Sequence, residues 1–447
     1  MNNSENAERP RLKRHIGLTS LTIYGVGNIL GAGIYSIIGA VLGIGGNASW
    51  LAFVLAALIG SFTGLSYAEL SAMYTESAAE FVYVEQAFKN RTLSFTLGWI
   101  VIFSGLFSSA TVSLVFAGYL ADLFNLPYGI TSASIAIILI MILSLVNYIG
   151  IRESTWTNIL FTLIEASGIV LIIAIGIPSF GTVDYFQLPL GISFLSFLPA
   201  VALVFFAYIG FEDIANVAEE VKEPERNLPK AIMLAVLITT ILYVLTAISV
   251  VSILPYTDIA GDPAPLNTVA SAVLGPVGGL IMSIIAMFAT ANTVLIILIV
   301  TSRMMYGMAR DKALPENVGL ISAKRKTPWV AIILTMSFAA VFAFAGGVTD
   351  ITVVANATVI GVFVAFALVN ISLIVLRKTK HEKSRSFKTP SVKGVPILAI
   401  LGAASCIAIL LVFNVLTVII QIIIIAVGIV IYIALRPSIC CDPIEKD

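Results

Sequence analysis

Residues 26–38 read VGNILGAGIYSII and lie in the middle of the first long apolar run, residues 18–42. That run has 25 residues without a charged side chain, enough to cross a hydrocarbon core of about 30 Å. It also contains five glycines, and each costs a continuous helix about 1 kcal/mol relative to alanine. An opened helix is tolerated in a bilayer where its freed backbone groups face protein, water or a ligand. We therefore interpret Gly31, Ala32 and Gly33 as a break lining a cavity; close helix packing is the alternative.

The overall composition places the chain in a membrane. Hydrophobic residues make up 59% of the chain, charged residues make up 11%, and the mean hydropathy is +1.03. Such a chain is too apolar for a soluble globular protein of this length, so we predict an integral membrane protein. The first 17 residues are polar and the first apolar run is too long for the core of a signal peptide. We expect that run to remain in the protein.

Twelve apolar runs are bounded by polar residues, glycine or proline and are treated as membrane spans. They cover residues 18–42, 48–74, 94–124, 132–149, 156–178, 193–217, 230–253, 276–306, 329–346, 350–376, 395–413 and 416–435. Basic residues before the first span place the N-terminus in the cytoplasm, and an even number of spans places the C-terminus there too. With that orientation all 25 Lys and Arg residues fall on the cytoplasmic side. The charged residues of the predicted external segments and helix ends are all acidic, namely Asp122, Asp184, Asp258, Asp262 and Asp350.

The first ten spans divide into two units, residues 18–178 and 193–376, which start from opposite sides of the membrane. This arrangement is typical of an inverted repeat and predicts a break in the sixth span to match the first. The sixth span contains Pro199, then AYIG at residues 207–210, then two acids. Two interrupted helices at matching positions point to a transporter site near the bilayer midplane. They favour the cavity-lining interpretation over simple packing.

Other segments flank this core. We predict a cytoplasmic tail (1–17), the ten-helix transport core (18–376), a cytoplasmic loop (377–394), terminal helices 11 and 12 (395–435) and a second cytoplasmic tail (436–447). The terminal helices carry no charged residue, so packing or contact within a homodimer is their expected role. Residues 76–91 mix apolar and charged side chains at helical spacing, which predicts a helix lying at the cytoplasmic surface. The charged loop that begins at Ala218, AEEVKEPERNLPKAI, is interpreted as a solvated face.

Five motifs, in order along the core, resemble those of the amino acid-polyamine-organocation superfamily of transporters. They are GNILGAGIY (27–35), SYAEL (66–70), FFAYIGFE (205–212), AEEVKEPERNLPKAI (218–232) and SRMMYGMARDKALP (302–315). The resemblance is to prokaryotic amino acid permeases. It implies an all-α membrane fold of twelve helices, with a five-plus-five inverted repeat (LeuT-like) and broken helices 1 and 6. It also implies alternating access and a small amine or amino acid substrate, moved with protons or by exchange.

The directions of the two broken spans predict what each break binds. Span one runs outward, so the half-helix beyond its break begins near Gly33 and Ile34 and presents a positive dipole end, which suits a carboxylate. Span six runs inward, so its first half ends near Phe206 and Ala207 with a negative dipole end, which suits an ammonium. Together the breaks predict a site for the zwitterion of an α-amino acid, with Asn28 as a side-chain partner.

These two breaks define the candidate substrate-binding residues. They are Asn28, Gly31, Ala32, Gly33, Ile34, Phe205, Phe206, Ala207, Tyr208 and Gly210. Phe206 or Tyr208 is predicted to cover the site, and the resemblance places Phe206 at the family's gating aromatic position; ordinary helix packing is the alternative for both rings. Ala32 departs from many relatives, which carry a hydroxyl residue there. This departure implies one hydrogen bond fewer to the substrate.

Apart from the acids at span ends and Asp213, which adjoins Glu212, three carboxylates lie within the predicted spans, where ionisable residues are functional candidates. Glu69 lies near the cytoplasmic end of span two, where we favour pairing with a loop cation. Glu212 directly follows the break in span six and matches an acidic position in the antiporters that the chain resembles, so we predict gating or proton coupling. Glu165 lies in span five, about 14 Å deep at 1.5 Å per residue, where some relatives carry a lysine whose ammonium substitutes for sodium. We predict that Glu165 is a coupling residue; hydrogen-bonded packing is the alternative.

The residues favour a secondary active transporter of amino acids in the cytoplasmic membrane, working by proton-coupled symport or exchange. A polyamine or organic cation transporter is the alternative, because Glu165 and Glu212 would hold a second ammonium. A sodium-coupled amino acid symporter is a further alternative, and a channel is a different class again. The expected partners are the small-molecule substrate and the lipid bilayer. No nucleic acid is expected, because the basic residues are scattered in short polar segments.

Neither an enzyme active site nor a metal site is evident in the sequence. Both histidines, His15 and His381, lie in predicted cytoplasmic segments, away from any nucleophile cluster. Cys406, Cys440 and Cys441 lack the spacing of a metal site, and lipidation of the tail pair is a minor alternative. We therefore expect no metal and no cofactor, only a proton or a sodium ion as the coupling ion.

Overall fold

The computed structural model describes residues 12–439 except 128, 190–193, 263, 349–351, 381–384, 412 and 414. Asp350, His381, Cys440, Cys441 and the side chain of Ala32 lie outside the described residues, as do most of both predicted tails. In the described residues the chain forms α-helices, short 3-10 turns and two isolated β-bridges, without a strand. The predicted all-helical class is confirmed for this part of the chain.

Sixteen α-helices follow one another along the described residues. They are α1 (Leu18–Gly45), α2 (Ser49–Met73), α3 (Ala79–Phe88), α4 (Arg91–Phe124), α5 (Ile130–Ile149), α6 (Ile151–Gly176), α7 (Phe194–Ala207), α8 (Asp213–Asn216), α9 (Pro224–Ile253), α10 (Tyr256–Ile259), α11 (Pro265–Leu274), α12 (Pro276–Arg310), α13 (Trp329–Val348), α14 (Thr352–Thr379), α15 (Ile397–Leu410) and α16 (Val415–Ile439). Each predicted span falls on one of these helices, and the sixth falls on α7 and α8 together.

Nine helical stretches in the described part of the chain are long and apolar enough to cross a membrane. Three further apolar helices are shorter, namely Phe197–Ala207, Pro265–Leu274 and Ile397–Leu410. The sequence analysis did not anticipate α11, which lies in the predicted external connection between spans seven and eight. Helix length and composition therefore support repeated crossing of a membrane. A total of twelve spans remains a prediction.

Both predicted helix interruptions are present. Inside α1, Gly31 has φ 29° and ψ −155°, which lies outside helical geometry. α7 ends at Ala207, and the chain turns through Gly210, at φ 127°, before the short helix α8. A positive φ is readily adopted by glycine because it lacks a Cβ. The two glycines are therefore where the chain can leave the helix, as their sequence context predicts.

The interrupted helix α1 lies among several others. It packs against α6, α7, α9 and α12, while α4 packs along α12. Its apolar residues are buried on several sides, with Leu21, Leu30 and Ile38 fully enclosed. Because α1 contacts so many elements, its break lies inside the protein rather than against lipid. This position satisfies the condition under which an opened helix is stable in a bilayer.

Helix α3 corresponds to the surface helix expected within residues 76–91, but its first half is not on the surface. All residues of Ala79–Val84 are buried. Two side chains that follow α7 accept hydrogen bonds from the backbone at and just before the start of α3. Asn216 Oδ1 accepts from the Ala79 N–H, and Glu219 Oε1 accepts from the Ser77 N–H, both at 2.9 Å. The first N–H groups of a helix lack intrahelical partners, so these side chains hold α3 inside the protein.

The loop after α8 is also not the solvated face that its charges suggested, at least at its start. Glu220 is fully buried and accepts two hydrogen bonds from the buried guanidinium of Arg303, at 3.0 and 3.2 Å. Glu219 pairs with Arg310. A buried guanidinium needs a paired carboxylate, which explains why Glu220 turns inward. Only the following charges, such as Lys222, are exposed.

Candidate substrate site

A cavity of about 510 Å³ lies beside both helix interruptions. Besides aromatic residues, glycines and alanines, its wall contains three kinds of residue. The apolar wall residues include Val101, Val112, Val115, Ile297, Val300, Val359 and Val362. The hydroxyl residues include Ser104, Ser108, Thr290, Thr293 and Thr301. The acidic residues are Glu80, Glu212 and Asp213. The cavity thus joins a large apolar surface to a small polar region at the two breaks.

Six of the ten predicted substrate-binding residues lie on the cavity wall, namely Asn28, Gly31, Gly33, Phe206, Ala207 and Gly210. Ile34, Phe205 and Tyr208 do not line it; they are exposed by 0%, 1% and 1% respectively. Neighbouring side chains of a helix point about 100° apart, because a turn takes about 3.6 residues. Phe206 therefore faces the cavity while Phe205 packs against Phe363.

Asn28 of α1 joins the two interruptions. Its Nδ2 donates to the Gly210 carbonyl at 2.7 Å and to Asp213 Oδ2 at 2.7 Å. An asparagine amide has two N–H donors, and both are used here. Asn28 therefore holds α1 to the segment between α7 and α8. The predicted role as a substrate partner is then limited to its amide oxygen, which is an acceptor.

Opposite helix ends approach each other at the cavity wall. Gly33 lies in the first turn after the break in α1, and Ala207 is the last residue of α7. A Cβ added at Gly33 would lie 3.3 Å from the Cα of Ala207, so the two backbones nearly touch. A helix N-terminus favours negative charge and a helix C-terminus favours positive charge. This arrangement can hold a carboxylate and an ammonium that belong to one small ligand.

Phe206 and Tyr208 occupy different environments. Phe206 is partly exposed on the cavity wall, and its ring meets Phe363 and Phe413 edge to face at 5.6 and 6.4 Å between centroids. Tyr208 is buried, and its hydroxyl donates to the Phe53 carbonyl at 3.2 Å. Tyr208 is therefore a packing residue against α2 in this structure. Of the two predicted lid residues, only Phe206 borders the cavity.

Tyr243 of α9 contacts both interruptions and was not predicted. Its hydroxyl oxygen lies 2.6 Å from the Ile29 carbonyl oxygen and 3.1 Å from that of Ala207. The side chain is fully buried. In the sequence Tyr243 is one polar aromatic residue inside an apolar span, and nothing in its spacing marks it. Only the folded arrangement brings it to the breaks, which lie 36 or more positions away.

The acidic part of the cavity contains Glu80, a residue of α3 that sequence reasoning missed. Glu80 is 2% exposed and accepts hydrogen bonds from the Tyr67 hydroxyl at 3.0 Å and from Asn216 Nδ2 at 3.0 Å. Burial raises the pKa of the Glu80 carboxyl, and these hydrogen bonds oppose the rise. Nearby, Glu212 Oε2 accepts from the Gly210 N–H at 2.7 Å. No Lys, Arg or His is among the cavity-lining residues that the structure describes.

Glu165 lies outside the cavity wall, in a polar cluster where α6 faces α12 and α1. The cluster contains Asn158, Thr162 and Glu165 on one face of α6, together with Asn292 of α12. Asn292 Nδ2 is 3.5 Å from Glu165 Oε2, and Glu165 Oε1 has no hydrogen-bond partner among the described residues. Gly27 of α1 packs directly against Thr162 and Asn292. The Glu165 carboxylate is therefore fully buried beside the interrupted helix, and one long contact with Asn292 is weak compensation for its lost hydration.

Glu69 is paired with basic residues, as the sequence analysis favoured. It accepts hydrogen bonds from Arg377 at 2.5 and 2.8 Å and from the Thr389 N–H at 2.7 Å, and it pairs with Arg385 at 3.1 Å. These partners belong to the end of α14 and the following loop. The preference for pairing with a loop cation is confirmed. Glu69 fastens this loop to α2, away from the cavity.

The chain is similar in sequence to several known transport proteins. The chain is 31% identical to "Branched-chain amino acid permease BcaP" of Bacillus subtilis (strain 168), over 94% of this chain and 92% of the relative. It is 26% identical to "Serine/threonine exchanger SteT" of the same organism, over 88% and 90%. It is 28% identical to "Cationic amino acid transporter 3, mitochondrial" of Arabidopsis thaliana, over 82% of this chain and 63% of the relative.

These relatives are transporters rather than enzymes, which confirms the prediction that the chain is not an enzyme. With the apolar helices, they also confirm a multi-pass membrane protein. The amino acid permease family model matches residues 16–435, nearly the whole chain. The chain therefore belongs to the amino acid permease family of the amino acid-polyamine-organocation superfamily.

Proposed function

We propose that this protein is a secondary active transporter of amino acids that works by alternating access. The observation that carries the proposal is the meeting of two interrupted helices at one cavity, with the N-terminal end of a half-helix beside Gly33 and the C-terminal end of α7 at Ala207. These ends match the carboxylate and the ammonium of an α-amino acid. The Asn28 bonds to Gly210 and Asp213 keep the two interruptions together.

The proposed architecture has twelve spans, with residues 18–178 and 193–376 as inverted repeats, terminal helices at 395–435 and cytoplasmic segments at 1–17, 377–394 and 436–447. Helices on every predicted span support it. The two interruptions at matching positions of the repeats support it further. Both termini are proposed to lie in the cytoplasm, because this orientation places every Lys and Arg there.

The cavity wall favours an apolar amino acid side chain. Beyond the two helix ends, valine and isoleucine are the most frequent residues on the wall formed by α4, α12 and α14, beside alanine, aromatic and hydroxyl residues. Such a surface gains free energy, about 25 cal/mol per Å², when it covers an apolar side chain. The relative named as a branched-chain amino acid permease is consistent with this substrate class. We therefore propose neutral amino acids with aliphatic side chains, such as leucine, as substrates.

We propose that Glu165 couples transport to a proton, or to sodium as the alternative ion. The carboxyl group is fully buried and one of its oxygens has no hydrogen-bond partner among the described residues. Burial in such surroundings disfavours a lone negative charge, so the group is stable when a proton or a cation neutralises it. Movement of α1, which packs on this cluster at Gly27, would change its access to water. Glu212, beside the break, is the second candidate.

A cationic substrate is the alternative supported by a specific observation. Three carboxylates, Glu80, Glu212 and Asp213, line one part of the cavity, where the described wall holds no basic side chain. An additional ammonium on the substrate would be attracted there. The relatives named as cationic amino acid transporters are consistent with this alternative. The aliphatic wall is larger than the acidic part, so we place the neutral substrates first.

Uptake by proteoliposomes that contain the purified protein tests this proposal. Preloaded vesicles should exchange radiolabelled leucine, and unlabelled isoleucine or valine should compete more strongly than lysine or putrescine. Leucine should also raise the unfolding temperature of the detergent-solubilised protein, because a ligand bound to the native state stabilises it. Stronger competition by lysine and putrescine would favour the cationic alternative. Conductance without saturation or exchange would indicate a channel.

A further inference from the structure

The substrate cavity ends against helix α3 on the side of the predicted cytoplasmic segments. Glu80 of α3 and Tyr67 of α2 are part of the cavity wall there, and their side chains are buried, with 2% and 0% exposed. A second, charged pocket of about 830 Å³ includes Thr75 and Glu76, which directly precede α3. Glu76 is exposed. The start of α3 therefore separates the cavity from a pocket that reaches solvent.

The turn before α3 is fixed to α12 on one side. It packs so closely on Gly307 that a Cβ there would lie 2.6 Å from the Ala78 Cβ and 2.8 Å from the Ser77 carbonyl oxygen. Ala78 has φ 63°, in the left-handed region that residues with a Cβ adopt uncommonly. Such a conformation persists only where the surrounding structure holds it. The start of α3 thus has a firm seat on α12.

On its other side, α3 is joined to the interrupted sixth span by Asn216 of α8. Asn216 Oδ1 accepts from the Ala79 N–H at 2.9 Å, and its Nδ2 lies 3.0 and 3.3 Å from the two carboxylate oxygens of Glu80. Glu80 also accepts from the Tyr67 hydroxyl at 3.0 Å. Because α8 follows the break after Ala207, a displacement of this half of span six away from α3 would have to break the bonds of Asn216.

We propose that the Asn216–Glu80 pair is a latch that closes the cavity toward the cytoplasm: its hydrogen bonds hold α8 against α3 and break before the substrate leaves inward. The inference rests on the proposed function, because it assumes alternating access. Both side-chain donors to Glu80 that the structure describes, the Asn216 amide and the Tyr67 hydroxyl, are neutral. Water can replace such donors when the region opens. The buried Arg303–Glu220 ion pair, by contrast, cannot separate without leaving a buried charge unpaired.

A swap of donor and acceptor tests the latch. Asn216→Asp keeps an oxygen for the Ala79 N–H but turns a carboxylate oxygen toward Glu80 in place of the amide donor, so the pair should separate. Glu80→Gln alone should keep the pair, because the new amide oxygen still accepts from Asn216. In the double variant, the introduced glutamine amide can donate to the introduced aspartate. The pair should then form again.

The measurement is the rate at which a cysteine on the cavity wall reacts from the cytoplasmic side. The cysteine replaces Ser108, a wall residue of α4, in a protein without Cys406, Cys440 and Cys441. A membrane-impermeant methanethiosulfonate is added to inside-out vesicles. Asn216→Asp should raise the rate about tenfold, the factor by which loss of one hydrogen bond to a carboxylate shifts a two-state equilibrium. The double variant should return to within about twofold of the starting rate.

Two more variants separate the latch from general loosening. Asn216→Ala removes the amide without adding a charge; it should also raise the rate, and it serves if the aspartate variant does not fold. Asn370→Asp is the matched control, because Asn370 is equally buried and joins α14 to Thr63 and Ser66 of α2, away from the cavity wall. Its rate should not rise.

The outcomes distinguish the latch from the proposed function. An unchanged rate in both Asn216 variants, an equal rise in the Asn370 control, or a double variant as reactive as Asn216→Asp would overturn the latch alone. The cysteine reaction needs no substrate, so it is independent of the uptake measurements. Failure of the unmodified protein to exchange any amino acid would overturn the proposed function, whatever the reaction rates are.

Discussion

The buried carboxylates of this protein differ chiefly in what neutralises them. Glu69 is surrounded by two arginines and a backbone N–H, and Glu220 by the guanidinium of Arg303. Glu165 meets only a neutral amide at 3.5 Å. A fully paired carboxylate gains nothing from a proton, whereas a buried one without a cation is stabilised by protonation. Glu80, Glu212 and Asp213 lie on a cavity wall without a basic side chain as well, but each accepts a hydrogen bond of 2.7 to 3.0 Å. At the residue scale we therefore propose Glu165, which has the weakest hydrogen bonding, as the first candidate for an exchangeable proton.

Glu165→Gln should separate exchange from accumulation. Glutamine resembles the protonated carboxylic acid in size, so preloaded proteoliposomes should still exchange leucine. Accumulation driven by a pH or sodium gradient should be lost, because the side chain can no longer take up and release an ion. Glu80→Gln is the comparison, since Glu80 is equally buried but already accepts hydrogen bonds from Tyr67 and Asn216; it should keep accumulation. The opposite pattern would assign coupling to Glu80.

At the scale of helices, the site depends on how closely α1 and α7 approach. Their backbones come close at Gly33, where a Cβ would lie 3.3 Å from the Cα of Ala207 and 3.5 Å from its Cβ. Backbone atoms cannot move aside as a flexible side chain can. A larger residue would therefore push the two half-helices apart. The opposite helix ends that we propose for the zwitterion would then no longer match its two charged groups.

Gly33→Val should weaken leucine binding by a factor between about five and about one hundred and fifty, since overpacking of this kind costs about 1–3 kcal/mol. Gly118→Val in α4 is the matched control, because a Cβ there meets nothing within 4 Å. Both proteins should be recovered from the membrane fraction and should give a single symmetrical peak in size-exclusion chromatography in detergent. The measurement is the leucine concentration that gives half-maximal thermal stabilisation. Equal affinities of the two variants would contradict the zwitterion site.

For the whole molecule, the connections on one side of the cavity are held by charged groups. Arg310 pairs with Glu219 and with Glu76, and so ties the end of α12 to the segment after α8 and to the residues before α3. Glu69 fastens the loop after α14 to α2. Basic residues thus concentrate in the segments proposed to be cytoplasmic. This distribution is the basis for the proposed orientation.

Single cysteines in a variant without Cys406, Cys440 and Cys441 test that orientation. Cysteines at Asp184 and Asp258, both exposed in the structure, should react with a membrane-impermeant maleimide added to intact cells. A cysteine at Lys222, also exposed, should react only after the membrane is permeabilised. Protection of both acidic positions, or labelling of Lys222 in intact cells, would show that the spans have been counted wrongly.

The sequence by itself determined the membrane class and the positions of both helix interruptions. Hydropathy and the helical cost of glycine are local properties, so the breaks at Gly31 and after Ala207 could be predicted without knowing any contact. The pairing of Glu69 was predictable because a buried acid near a basic loop has few other partners. Family membership, from motifs spread over the core, was also predictable.

The tertiary structure alone decided which side chains face the cavity. In the folded protein Phe206 faces the cavity and Tyr208 does not. Glu80 is buried because α3 packs inside the protein, and Tyr243 lies between the two breaks. These outcomes depend on contacts between residues far apart in the chain, such as the 214 positions that separate Tyr243 from Ile29. A local pattern cannot encode such contacts, because the partner of a polar side chain is set by how whole helices pack.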